Sequence, residues 1–153
     1  MRDNAWLAQK LNELWANYFP DVERRNNVFI RFKGRWKNKF GHIKQLKTKD
    51  TEVCVNGLFS NESVPEYIID LTIAHEVVHY SHGFQSPHEK RFEYPHQGGI
   101  VRKELIARGF KTQLKDERKW VKNEWLKSYR TFCPSKAMPK RNVTSLLGYL
   151  RRL

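Results

Sequence analysis

His75-Glu76-Val77-Val78-His79 lies near the middle of the 153-residue chain, and how these residues are read decides the fold around them. On an α-helix, residues four apart sit one turn apart on the same face, so both imidazoles can aim a ring nitrogen at one metal ion with Glu76 alongside. The flanking residues ask for that helix independently of the motif. Ser63-Val64-Pro65-Glu66 has the form of a capping box. Ser63 can accept from free backbone N–H groups, Glu66 can reach back to the cap, and Pro65 falls in the first turn, where a missing N–H costs little. Gly83 supplies the stop. Between them Tyr67, Ile68, Leu71, Ala74, Val78 and Tyr80 fall at largely helical spacing, which predicts a helix from about Val64 to His82, buried along one stripe.

Zinc held by neutral imidazoles keeps its Lewis acidity and lowers the pKa of a bound water to about 7, and a neighbouring carboxylate can take the proton as that water attacks a carbonyl. His75 and His79 are therefore expected zinc ligands and Glu76 the general base of a peptidase. A catalytic zinc takes three protein ligands, so a third is sought downstream. His82 shares a face with His75 but sits at the helix end, where it reads as a cap or an outer partner. The pattern HExxHxxGxxH would need its third His where Gln85 stands, and Glu104 has no motif around it. His88 is the first candidate, with His96 behind it.

In this region the chain resembles the SprT-like zinc metallopeptidases and the related YgjP-like metallopeptidases. In these, HExxH is followed after a short loop by a third His with an aromatic residue four positions later, which here reads His88-Glu89-Lys90-Arg91-Phe92. Glu89 stands where the family often has Gly. Phe40-Gly41-His42-Ile43 and Val53-Cys54-Val55-Asn56 resemble the family's paired strands before the active-site helix, and the likeness spans roughly Val28 to Phe110. The resemblance implies a zincin-like α+β fold, His88 as third zinc ligand, and proteolysis of proteins associated with DNA. Many SprT-like proteins carry a four-cysteine zinc ribbon, which the two cysteines here, Cys54 and Cys133, cannot build.

The length suits one domain with one core. Trp6, Leu7, Leu11, Leu14, Trp15 and Tyr18 predict an amphipathic helix over Asp3 to Phe19. Val28-Phe29-Ile30 opens a strand, and from Arg31 to Phe40 basic and other residues alternate, which in an extended chain puts Arg31, Lys33, Arg35, Lys37 and Lys39 on one face. Gly41 to Asp50 and Thr51 to Val55 complete what is expected to be an antiparallel set. Ile100 to Arg108 reads as a short helix stopped by Gly109. Leu114, Val121, Trp125, Tyr129 and Phe132 mark a further helix in a basic C-terminal extension over about 111–153, with a basic loop from Ser135 to Asn142 and either a last helical turn or a frayed end from Val143 to Leu153. The expected architecture is thus α+β, a small antiparallel sheet packed against the HExxH helix with flanking helices.

The formal charge of +13 is unevenly placed: Arg31 to Lys49 holds eight basic residues and no acidic one, and Lys111 to Leu153 twelve against three acidic. Clustered cations with interleaved Trp and Phe suit phosphate contact plus base stacking, so nucleic acid is an expected partner, with Arg31, Lys33, Arg35, Trp36, Lys37 and Lys39 as the contacts. Met1 to Lys10 lacks the apolar core of a signal peptide, and no apolar run is long enough to span a membrane. The expectation is a monomeric cytoplasmic protein, nucleoid- or nucleus-associated if it binds DNA. The competing reading is a non-catalytic nucleic-acid-binding protein with a structural or vestigial zinc site. Glu76 discriminates between the two, because a purely structural site has no use for it.

Overall fold

The structure is a computed structural model that describes residues 1–134. The expectations for the Ser135 loop and for the end from Val143 lie outside the described residues. The fold is α+β: a three-stranded sheet with helices against it. Helix α1 (Asn4–Tyr18) starts where Asp3 accepts from the Trp6 backbone N–H at 2.8 Å, and buries Leu7, Leu11, Leu14 and Trp15. Strands β1 (Val28–Lys33), β2 (Gly41–Gln45) and β3 (Thr51–Asn56) follow, in the spatial order β1-β3-β2.

That order corrects the expected antiparallel set. β2 and β3 do pair antiparallel, but β1 pairs parallel with β3. Every residue of β3 is buried, and a strand buried on both faces belongs in the centre, so β3 inserts between the two strands that precede it. To reach the far side, the chain leaves β1 at Lys33 and arches over the end of β3. Gly34 turns it with φ 75°, the Asn56 side-chain amide donates to the Trp36 and Lys39 carbonyls at 2.7 and 3.0 Å, and the Trp125 indole N–H donates to the Lys37 carbonyl at 2.8 Å. The predicted alternation is therefore broken after Lys33, and the five cations do not form one row.

Helix α2 (Glu66–Ser81) carries the HExxH residues and is the hub of the fold. It packs on α1, on strands β2 and β3, on α3 (Ile100–Ala107) and on α4 (Lys111–Trp120), and from Ile68 to Ser81 all but Asp70 are buried. The predicted single stripe is thus too narrow: a helix enclosed on all sides is apolar nearly all round. The capping box does not form. Helix α2 begins after Pro65, Ser63 donates its own backbone N–H to Asn61 Oδ1, and Glu66 pairs with Lys10 of α1 instead.

The end of α2 follows the prediction. Gly83 donates to the Tyr80 carbonyl at 3.1 Å and Phe84 to the His79 carbonyl at 3.0 Å, a Schellman pair closed by Gly83 at φ 81°. A Cβ at Gly83 would also overlap the Glu89 carbonyl. Gly83→Ala is therefore expected to destabilise the fold by about 1–3 kcal/mol from the backbone conformation, with the overlap adding to this. A fall in the urea midpoint at unchanged slope measures it, and an unchanged midpoint would refute it.

From Lys111 to Phe132 the chain is one helical run: α4, a wide turn at Val121–Trp125, and α5 (Leu126–Phe132). The wide turn brings Trp120 and Trp125 to the same side, 5.6 Å apart, against Phe40 and Phe59. This part of the predicted extension is built into the core, with Trp125 fully buried. No helix among the described residues is long and apolar enough to cross a membrane.

Candidate metal centre and cleft

Three histidines converge at the last turns of α2. His75 and His79 sit on one face, with Nε2 atoms 2.9 Å apart, and His96 comes from the turn before α3 with its Nε2 3.1 Å from that of His75 and 3.2 Å from that of His79. Imidazole nitrogens placed tetrahedrally at about 2.0–2.1 Å from one zinc lie about 3.3–3.4 Å apart, so the triangle is close to the size such an ion needs. Three mutually facing Nε2 atoms cannot be matched one-to-one by hydrogen bonds among themselves, since each neutral ring presents there either one N–H or one lone pair. A cation at the centre satisfies all three lone pairs. The donor set, three imidazoles with one side open to a cleft, fits zinc.

Burial, followed by the neighbouring histidines, holds His75 well below its usual pKa and pushes His79 down to about 3, so both are neutral, the state in which imidazole ligates. Their buried Nδ1 atoms find no hydrogen-bond partner among the described residues. Glu76 is 4% exposed, its Oε1 lies on the side of Gly41, and burial pushes its carboxyl up to about 8, with Lys39 pulling the other way. Gly41 is required there. A Cβ on it would sit 2.6 Å from Thr72 Cγ2 and 2.8 Å from the Cys54 carbonyl, so only glycine lets β2 pass this close to α2.

His88 corrects the sequence reading. Its Nε2–H donates to the Glu23 carbonyl at 2.6 Å and its ring packs against Tyr80 at 5.2 Å, away from His75 and His79. The chain after Gly83 is tied down on the Tyr80 side, where Ser86 Oγ donates to the Tyr80 carbonyl at 2.6 Å, and Phe92 packs on His82 at 4.9 Å. His96 takes the place expected of His88. It precedes Gly98 and Gly99, both at positive φ, and the double turn hands the chain to α3, whose Val101 and Leu105 are fully buried. The usable signal was that pairing of a His with a glycine turn and an anchored apolar helix. His82 and Glu104, the other two rivals, bond to each other, and Glu104 also holds Arg108 at 3.0 Å.

The histidines and Glu76 line a cleft of about 420 Å³ together with Lys39, Ile43, Phe84 and Pro95. One wall is the edge of β2 away from β3, which pairs with no strand among the described residues. The Asn56 N–H donates to the Phe40 carbonyl and the Leu46 N–H to the Asp50 carbonyl, which by alternation turns the peptide groups of His42 and Lys44 toward β3 and leaves those of Gly41, Ile43 and Gln45 facing outward. Gln85 Oε1 accepts the Gln45 N–H at 2.9 Å, closing one end of the edge.

The proposed nucleic-acid contacts are dispersed. Arg31 pairs with Glu52 at 2.8 Å, Arg35 donates to the Phe132 carbonyl, and Lys39 lies 4.0 Å over the Trp36 ring, which also leans on His42. Lys33 and Lys37 carry no ion pair among the described residues. No family model, curated protein or solved structure matches the chain.

Proposed function

We propose that the chain is a zinc metalloendopeptidase of the SprT-like, zincin-like kind, acting on polypeptides laid in the cleft and in particular on proteins associated with nucleic acid. The observation that carries this reading is the convergence of the His75, His79 and His96 Nε2 atoms beside Glu76 at an open cleft. These three residues would hold zinc, which when bound supplies the Lewis acidity that acidifies a water and polarises a carbonyl. Glu76, held ionised by the charge of a bound zinc, would accept the proton of the attacking water on its carboxylate and return it to the departing amine. The outward peptide groups of Gly41 and Ile43 favour a polypeptide over a small substrate, because an extended chain can add to that edge as a further strand. Ile43, Phe84 and Pro95 offer apolar surface to its side chains.

The nucleic-acid part of the reading rests on the charge of +13 and on family resemblance. The protein acts in the cytoplasm, at the nucleoid or nucleus, as a monomer. Hydrolysis of an unfolded polypeptide should be abolished by a chelator, restored by zinc, and compared with and without DNA. Hydrolysis that persists in the chelator sinks the metallopeptidase reading. Lys33→Gln/Lys37→Gln should lower the slope of log affinity for DNA against log salt by about two, since roughly one counterion is released per phosphate contact. An unchanged slope would mark these cations as a solvated face.

A further inference from the structure

The sheet face turned away from α2 holds a second convergence of metal-binding side chains. Gly41 faces α2, so His42, one residue on, faces away, opposite its register partner Cys54 on β3; Glu52, two residues before Cys54, lies on the same face. Their ligand atoms all lie within 4.8 Å of one another. Cys54 is fully buried and Glu52 is 6% exposed. Arg31 holds Glu52 Oε2 at 2.8 Å, while Oε1 accepts the Cys54 thiol hydrogen at 3.2 Å. His42 Nδ1 is buried without a hydrogen-bond partner among the described residues. A buried, unpaired ring nitrogen beside a carboxylate and a thiol is costly unless something joins them.

We propose that His42, Glu52 and Cys54 form a second metal site, which takes a thiophilic divalent cation such as zinc independently of the His75, His79 and His96 centre. On binding, the Cys54 proton leaves to solvent, and the thiolate, Glu52 and an imidazole nitrogen of His42 take the ion. Two ligand charges and the Arg31 guanidinium then leave the site at a net single positive charge. One sulfur, one nitrogen and one oxygen donor suit zinc and disfavour magnesium and calcium, which require oxygen shells. Arg31, on the second Glu52 oxygen, orients the carboxylate from outside, as hydrogen-bonded partners of metal ligands do. All three ligands stand on paired strands, where the register holds them in place.

Cobalt(II) reads the two sites separately, because only a thiolate ligand gives an intense near-ultraviolet charge-transfer band. The full chain is expected to bind two equivalents of Co²⁺ and to show that band. The His75→Ala/His79→Ala chain should keep the band and one equivalent. Adding Cys54→Ser should remove the band, and His42→Gln, at a half-buried position, should weaken binding at this site by more than the roughly 10–100-fold that loss of a ligand's hydrogen-bonded outer partner costs. Circular dichroism checks that each variant folds. Cys133→Ser, at the other thiol, should change nothing. One equivalent without a thiolate band in the full chain, or a band that survives Cys54→Ser, overturns the proposal. Peptidase activity is not read in any of these arms, so failure of the proposed function leaves their outcomes unaltered.

Discussion

Glu76→Gln is expected to bind zinc at the same stoichiometry as the unaltered chain and to lose polypeptide hydrolysis by about 10²–10⁴-fold, the range of a positioned general base. The amide has the shape of the carboxyl and leaves His75, His79 and His96 in place, so it removes the proton acceptor alone. The same substitution carries a stability test that needs no metal. Burial pushes the Glu76 carboxyl up to about 8, so the folded chain favours the neutral form. From the unfolded value of 4.5 upward the unfolded chain ionises first, and the stability that Glu76 contributes at low pH is lost as pH rises toward 8. A neutral glutamine does not titrate. In urea unfolding of the metal-free proteins, the variant should gain on the unaltered chain between these two pH values. Hydrolysis at near-normal rates in Glu76→Gln would sink the peptidase mechanism, and parallel pH profiles would show that the carboxyl is not neutral when folded.

His96→Ala should cost at least roughly 10–100-fold in zinc affinity, because two imidazoles one turn apart cannot close a catalytic site. His88→Ala should leave zinc binding unchanged. Its loss should appear instead as about 1–2 kcal/mol of stability, from the hydrogen bond to the Glu23 carbonyl and the ring contact with Tyr80. Competition with a zinc-binding dye measures the first quantity and urea unfolding the second. The assignment fails if His88→Ala releases zinc and His96→Ala retains it. With the Glu76 experiment, the pair separates the group that moves a proton from the groups that hold the ion.

Local features were legible in the residues. The 3.6-residue spacing of Trp6 to Tyr18 and of Tyr67 to Tyr80, and the stops at Gly83 and Gly109, are properties of short segments, and the helices lie within a residue or two of where they were expected. Likewise His75, Glu76 and His79 are one turn apart on one helix, so their common neighbourhood follows from helix geometry alone. Long-range choices were not legible. The capping box failed because α2 begins only after Pro65, which leaves Ser63 two residues before the cap position, while Glu66 pairs with Lys10 of α1. The basic alternation from Arg31 broke because the chain must cross the end of a buried β3, and strand order depends on which strand is covered on both faces. The third histidine turned on the same kind of competition. His88 and His96 both lie in the chain between α2 and α3, and the only local difference is the glycine turn and apolar helix that follow His96. His88 is drawn to a carbonyl between α1 and β1, while α3, packed on α2 through Val101 and Leu105, draws back the segment that ends in His96. A ligand contributed by a loop goes where the element after the loop finds its apolar surface, and that surface belongs to the packed chain as a whole.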